Sequence, residues 1–171
     1  LRVKGESRCN VFEFWGRVLS TPTRQRNEVF HTVFSGERGI KLIGNHQYGD
    51  WKLHLGYDIM TRALEQHPQI ERVYGHNDPM AYGAYLAARD IGMDRQPAFL
   101  GIDAIPGEGV KWVQEGALTA TFLYMTPGAE GLRQAIRLLQ GQPIPKRVTL
   151  PTQTVDRSNA AELLKSHGIV E

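Results

Sequence analysis

The chain has 171 residues, with 20 Lys and Arg against 18 Asp and Glu, a net charge of +2 and 41% apolar residues. That length fits one domain with an ordinary core, and the near balance of charge argues against an electrostatic nucleic-acid binder. The 18 glycines and nine prolines are scattered, no apolar run approaches the ~18–20 residues of a membrane helix, and the single Cys9 has no intramolecular disulfide partner. Residues 1–6 carry neither an initiator Met nor the apolar stretch of a signal peptide, so the sequence reads as a mature or cut piece of something longer.

Strands and helices alternate along the chain. Asn10–Phe14 is a short apolar run and a first strand. Thr21 offers an N-cap with Pro22 behind it, and a helix from about Thr23 to Phe34 carries Val29, Phe30 and Val33 on its apolar side. Gly36 and Gly39 punctuate before a second strand, Ile40–Gly44. Asp50 is the next N-cap candidate. Leu53, Gly56, Tyr57, Met60, Ala63 and Leu64 recur at helical spacing, which predicts a helix from Trp51 to about Gln66, ended by Pro68. Arg72–His76 is a third strand; Asp78 and Pro79 open a third helix that Gly92 closes. Ala98–Ile102 is a fourth strand, Val110–Val113 a short helix and Leu118–Tyr124 a fifth strand. A fifth helix covers Ala129–Gln140, a last strand Val148–Val155 and a terminal helix Asn159–Ser166. This order predicts an α/β fold: a three-layer, Rossmann-like lobe with a mostly parallel sheet and helices on both faces.

In such sheets ligands bind at the carboxyl ends of the strands. The polar residues there are Thr21, Thr23, Arg24 and Arg26, then His46, Gln47, Tyr48, Asp50 and Trp51, then His76, Asn77 and Asp78, then Asp103, and Tyr124. The set suits a polyhydroxylated ligand. Asp accepts from neighbouring hydroxyls, Arg donates a fixed fork, Asn does one of each, and an indole covers the C–H face of a sugar ring. Bland readings stand beside this one: Arg26 as a solvated residue of a first helical turn, Trp51 as core, Asn77 and Asp78 as caps, Asp103 as a turn residue. Capping before Pro79 accounts for Asp78 fully. The six histidines lack the spacing of a helical zinc site, although His76 ends a strand beside Asn77. Asp78 and Asp103 have no partnered nucleophile for acid–base chemistry, and Gly107-Glu108-Gly109 lacks a phosphate-loop lysine. The reading is therefore a non-enzymatic binder with no metal and no cofactor.

Four segments in order carry a resemblance. His76-Asn77-Asp78-Pro79-Met80-Ala81-Tyr82-Gly83-Ala84 resembles the N-D-x-M-A-x-G-A segment of periplasmic sugar-binding proteins of the ribose/galactose type. Phe99-Leu100-Gly101-Ile102-Asp103 resembles that family's G-x-D strand end, and Gly116-Ala117-Leu118-Thr119-Ala120-Thr121 its G-x-L-x-A-T segment. Arg24-Gln25-Arg26 with Phe30 resembles its R-x-R…F helix start. The similarity runs from about Asn10 to Val155. It implies ligand contacts at Arg26, Trp51, Asn77 and Asp103. Tyr124 falls where ribose binders have a glutamine, in the segment that crosses between lobes; a phenol is larger and bonds differently, so the pocket differs in shape from a ribose site.

The family has two lobes with a type 1 periplasmic binding protein fold, and the resemblance implies that this chain is one half, the C-terminal lobe. Residues 1–123 would form that lobe, residues 126–142 a helix belonging to the missing N-terminal lobe, and residues 146–171 the returning strand and terminal helix. The fifth helix would then carry an apolar face, Leu132, Ala135, Ile136 and Leu139, in need of a partner: the other lobe or a second copy of the chain. The implied function is periplasmic recognition of a monosaccharide or related polyol by two-lobe closure, read by an ABC permease or a sensor kinase. The alternative is the effector-binding core of a lactose-repressor-type regulator, which shares the fold. Regulators of that type carry two acidic residues after the fourth strand, where this chain has Asp103 and Ala104.

Overall fold

Six strands, β1 (Cys9–Trp15), β2 (Ile40–Tyr48), β3 (Arg72–Gly75), β4 (Ala98–Leu100), β5 (Ala120–Phe122) and β6 (Thr154–Asp156), form one sheet in the order β2-β1-β3-β4-β5-β6. Neighbours run parallel from β2 to β5, and β6 pairs antiparallel with β5. The expected α/β fold with a mostly parallel sheet is present. This is a computed structural model that describes residues 9–93 and 95–169, apart from the side chains of Asn45 and His46. The amino-terminal reading at residues 1–6, and the His46 side chain, lie outside the described residues.

The helices are α1 (Thr21–Phe34), α2 (Leu53–Gln66), α3 (Asp78–Ile91), α4 (Lys111–Glu115), α5 (Gly128–Leu139) and α6 (Ala160–Ser166), with a π-turn at Pro106–Val110 leading into α4. The pleat of β3 sorts them. Val73 points into a core that includes Met60 of α2 and Ala84 of α3, while Tyr74, on the opposite face, stacks on Phe30 of α1 with ring centroids 4.7 Å apart. The α2–α3 pair packs backbone to backbone: a Cβ on Gly83 would stand 2.1 Å from the Leu53 carbonyl oxygen. Phe12, Phe14, Phe99, Met80, Leu118 and Leu164 fill the rest of the core.

Several boundaries differ from the sequence reading. Ser20, not Thr21, caps α1, its Oγ accepting the Thr23 N–H at 3.3 Å. That helix buries only Thr23 and Phe30, so Val29 and Val33 face outward. Asp50 caps nothing: α2 begins at Leu53, and Asp50 instead pairs with Arg17 at 2.7 Å and Lys52 at 2.8 Å. Asn77, not Asp78, caps α3, accepting the Met80 N–H at 3.1 Å. β2 runs past Gly44 to Tyr48 because its register against β1 shifts between Phe12 and Phe14. The last strand shrinks to Thr154–Asp156. Helix α5 has no buried residue; Leu132, Ile136, Leu138 and Leu139 are all exposed.

Candidate ligand site

The chain just beyond β2, β3, β4 and β5 converges on one guanidinium of α1. Arg26 sits near the start of α1, where Ser20 and Pro22 launch the helix from the rim. Its Nη1 donates to the His76 carbonyl oxygen, and its Nη2 lies 3.5 Å from Asp103 Oδ1. The guanidinium is also 5.5 Å from the centre of the Trp51 ring and 5.4 Å from that of Tyr124, an aromatic on each count within cation–π range. Asn77 joins them by donating from Nδ2 to the Trp51 carbonyl oxygen at 3.0 Å. The structure thus places Arg26, Trp51, Asn77, Asp103 and Tyr124 together at the carboxyl ends of the strands.

Each side chain is held by its own local cause. Trp51 stands outside α2 at φ 66, in the left-handed region, where the Asn77 bond fixes its backbone. Its ring lies against Gly16: a Cβ there would fall 2.0 Å from a ring carbon. Asp103 bridges Leu123 in parallel, its N–H donating to Phe122 O at 3.0 Å and its carbonyl accepting from Tyr124 N at 3.2 Å. Burial pushes the Asp103 carboxyl above the usual range, and the Arg26 charge and hydrogen bond pull it partway back. Asn77 spends one lone pair on the Met80 cap and one N–H on Trp51, which leaves one of each for a ligand.

Behind the rim lies a network that the sequence reading missed. His76 is fully buried; Gly16 N donates to its Nδ1 at 3.4 Å, so the proton sits on Nε2, 2.9 Å from Glu13 Oε1. Glu13 also receives Asn27 Nδ2 at 3.1 Å and lies 3.0 Å from His31 Nε2. Burial raises the Glu13 carboxyl, but hydrogen bonds from His76, Trp15 and His31 outweigh it and hold the group below its ordinary range. The available signal was the charge itself: Glu13 interrupts the run Val11-Phe12-Glu13-Phe14-Trp15. Among the described residues no cluster of three or more His, Cys, Asp or Glu could hold a metal ion, and no helix is long and apolar enough to cross a membrane. A cavity of about 250 Å³ lined by Phe12, Gln47, Ile59, Arg62 and Gln66 includes none of Arg26, Trp51, Asn77, Asp103 and Tyr124.

The comparison with known proteins agrees with this architecture. The model of the periplasmic binding protein domain matches residues 2–143, and the chain belongs to that family. It is 29% identical over 138 residues to the ribose import binding protein of Escherichia coli, covering 80% of this chain and 45% of that protein. It is 35% identical over 103 residues to the D-allose-binding periplasmic protein of the same species, covering 59% of this chain and 32% of the relative. Among solved structures, the fructose-binding periplasmic domain of a hybrid two-component system superposes with a TM-score of 0.89 at 36% identity, over 95% of this chain and 54% of that one. The chain therefore spans about half the length of these relatives or less.

Proposed function

We propose that this chain is the C-terminal ligand-binding lobe of a periplasmic solute-binding protein that takes a monosaccharide or related polyol at Arg26, Trp51, Asn77, Asp103 and Tyr124. The observation that carries this is the convergence of a guanidinium, a carboxylate, a half-used amide and two aromatic rings on one rim. In this reading residues 126–142 belong with the N-terminal lobe, and residues 146–171 return to the lobe described here. The exposed apolar face of α5 then packs on the other lobe. Ligand contacts exist on both lobes only in the closed state, and that difference in affinity drives closure.

The closed form is read by an ABC permease or by a sensor kinase. The name of the ribose import protein supports the first partner, and the closer match to the domain of a hybrid two-component system supports the second. A kinase module encoded downstream of this segment would decide for the sensor. The ligand test is calorimetry of the complete two-lobed protein with D-fructose, D-ribose and D-allose. One of these should bind at micromolar concentration or tighter. Asp103→Ala should weaken it by about 2–3 kcal/mol, roughly 30–150-fold. Undiminished binding in Asp103→Ala would remove this rim as the site.

A further inference from the structure

Asp78 is the first residue of α3 and is 1% exposed. Asn77 takes the capping place, so the burial of a carboxylate beside it needs another reason. Its bonds supply one. The Asp78 N–H donates to Ile102 O at 2.9 Å, and Asp78 Oδ2 accepts the Ala104 N–H at 2.8 Å. One residue of α3 thus grips the chain on both sides of Asp103. That stretch needs a grip: Asp103 has φ 126 and Ala104 φ 53, conformations that residues with a side chain avoid unless their surroundings enforce them.

The space around the carboxyl is cut to fit it. A Cβ on Gly101 would stand 2.1 Å from Oδ1, and one on Gly109 1.9 Å from Oδ2. Thr121 lies beside the carboxyl, yet Asp78 Oδ1 and Thr121 Oγ1 both stay buried without a well-formed hydrogen bond.

We propose that Asp78 is a positioning residue for Asp103: it clamps the strained turn that presents the Asp103 carboxylate, and protonation of the clamp loosens that turn. The proposal rests on Asp103 being a sugar ligand. The charged groups facing Asp78 are Asp103 on the clamped turn and Glu108 on the π-turn; β5 contributes only the Thr121 hydroxyl, and Arg26 of α1 faces Asp103 instead. Burial raises the Asp78 pKa to about 6; the nearby Thr121 hydroxyl and the Ala104 N–H bond oppose this, and the Asp103 and Glu108 charges add to it. Above that pH the clamp is a carboxylate, a strong acceptor for the Ala104 N–H. Below it the clamp is a neutral carboxyl, a weaker one.

The experiment uses the complete protein and whichever of D-fructose, D-ribose and D-allose binds in the panel above. Wild-type affinity should fall roughly threefold to tenfold between pH 7.5 and 5.5. Asp78→Asn keeps an acceptor for Ala104 without the titration. It should bind at pH 7.5 about as weakly as wild type does at pH 5.5, because a neutral amide is the weaker acceptor, and lose at least half of that fall, the remainder belonging to Asp103 itself. Asp78→Ala should bind at least about tenfold more weakly at every pH. The Ala104 amide gives a readout that needs no sugar: its NMR shift should titrate near pH 6 in wild type and not in Asp78→Asn. Wild-type affinity in Asp78→Ala, or an unaltered pH profile in Asp78→Asn, overturns the proposal. If no sugar binds while the Ala104 amide behaves as described, the clamp stands and the ligand reading fails.

Discussion

Glu13 and Asp78 are both buried carboxyls, and the protein treats them in opposite ways. Glu13 collects donors from His76, Asn27 and His31 and remains ionised easily. Asp78 has one strong donor and two acidic neighbours. A folded pKa of about 6 against an unfolded value near ~4 means that the folded chain holds the extra proton between those limits. The buried charge therefore costs about 3 kcal/mol at pH 7, and this penalty fades as pH falls from 6 to 4. Asp78→Asn should accordingly raise the melting temperature of the complete protein at pH 7.5 and change it little at pH 4. An equal gain at both would rule out titration as the cause. Gly16 offers a second check at this scale. Gly16→Ala places a methyl inside the Trp51 ring, so the ring must leave its seat, and sugar affinity should drop by about 1–3 kcal/mol. In a Trp51→Ala background the same change should do almost nothing, because the two act through one contact. Additive losses in calorimetry would break that link. Neither role of these residues was legible in sequence: Asp78 looks like a cap from its neighbours alone, and its true partner, Ala104, is 26 positions away.

Elements were far more legible than their ends. Apolar spacing together with the Pro and Gly breaks placed the helices, and in α2 the stripe of Met60, Ala63 and Leu64 meets a sheet that needs covering. Caps slipped by one residue at Ser20 and Asn77 since each stands next to another residue with a capping side chain, and only the phase of the backbone chooses between them. The last strand was overdrawn because Val148 and Leu150 look like strand residues, yet pairing with β5 is confined to Thr154–Asp156. The five rim residues lay among the many polar residues at strand ends and were singled out by the resemblance, whereas Glu13 was hidden within a strand. Helix α5 gives the prediction at this scale. Its polar side is self-sufficient, Glu130 pairing with Arg133 at 3.2 Å, while Leu132 and Ile136 stand 64% and 46% exposed. If the other lobe covers them, Leu132→Ser with Ile136→Ser should destabilise the complete protein by about 2–5 kcal/mol in denaturant. The same pair of changes should leave the unfolding of the 171-residue chain alone within about 0.5 kcal/mol. Should a second copy cover that face instead, sedimentation would show the chain passing from dimer to monomer on substitution.

At the level of the whole molecule, the sheet is not built from one continuous stretch of the chain. The sheet is left after Phe122 and rejoined at Thr154, with α5 carried in between. The departing segment stays attached by Leu123 N on Gln153 O at 2.9 Å and by Tyr124 N on Asp103 O at 3.2 Å. Tyr124 therefore belongs to two structures at once. Its ring walls the Arg26 guanidinium, and its backbone is the last point at which the outgoing chain touches the rim. In the two-lobe reading proposed above, α5 moves with the other half, and Tyr124 and the returning chain before Thr154 lie where the halves would turn. On that reading the angle between the halves and the width of the ligand pocket would be coupled, so a partner that grips the protein by its outline would change how firmly it holds its ligand, and by reciprocity the ligand would set the outline.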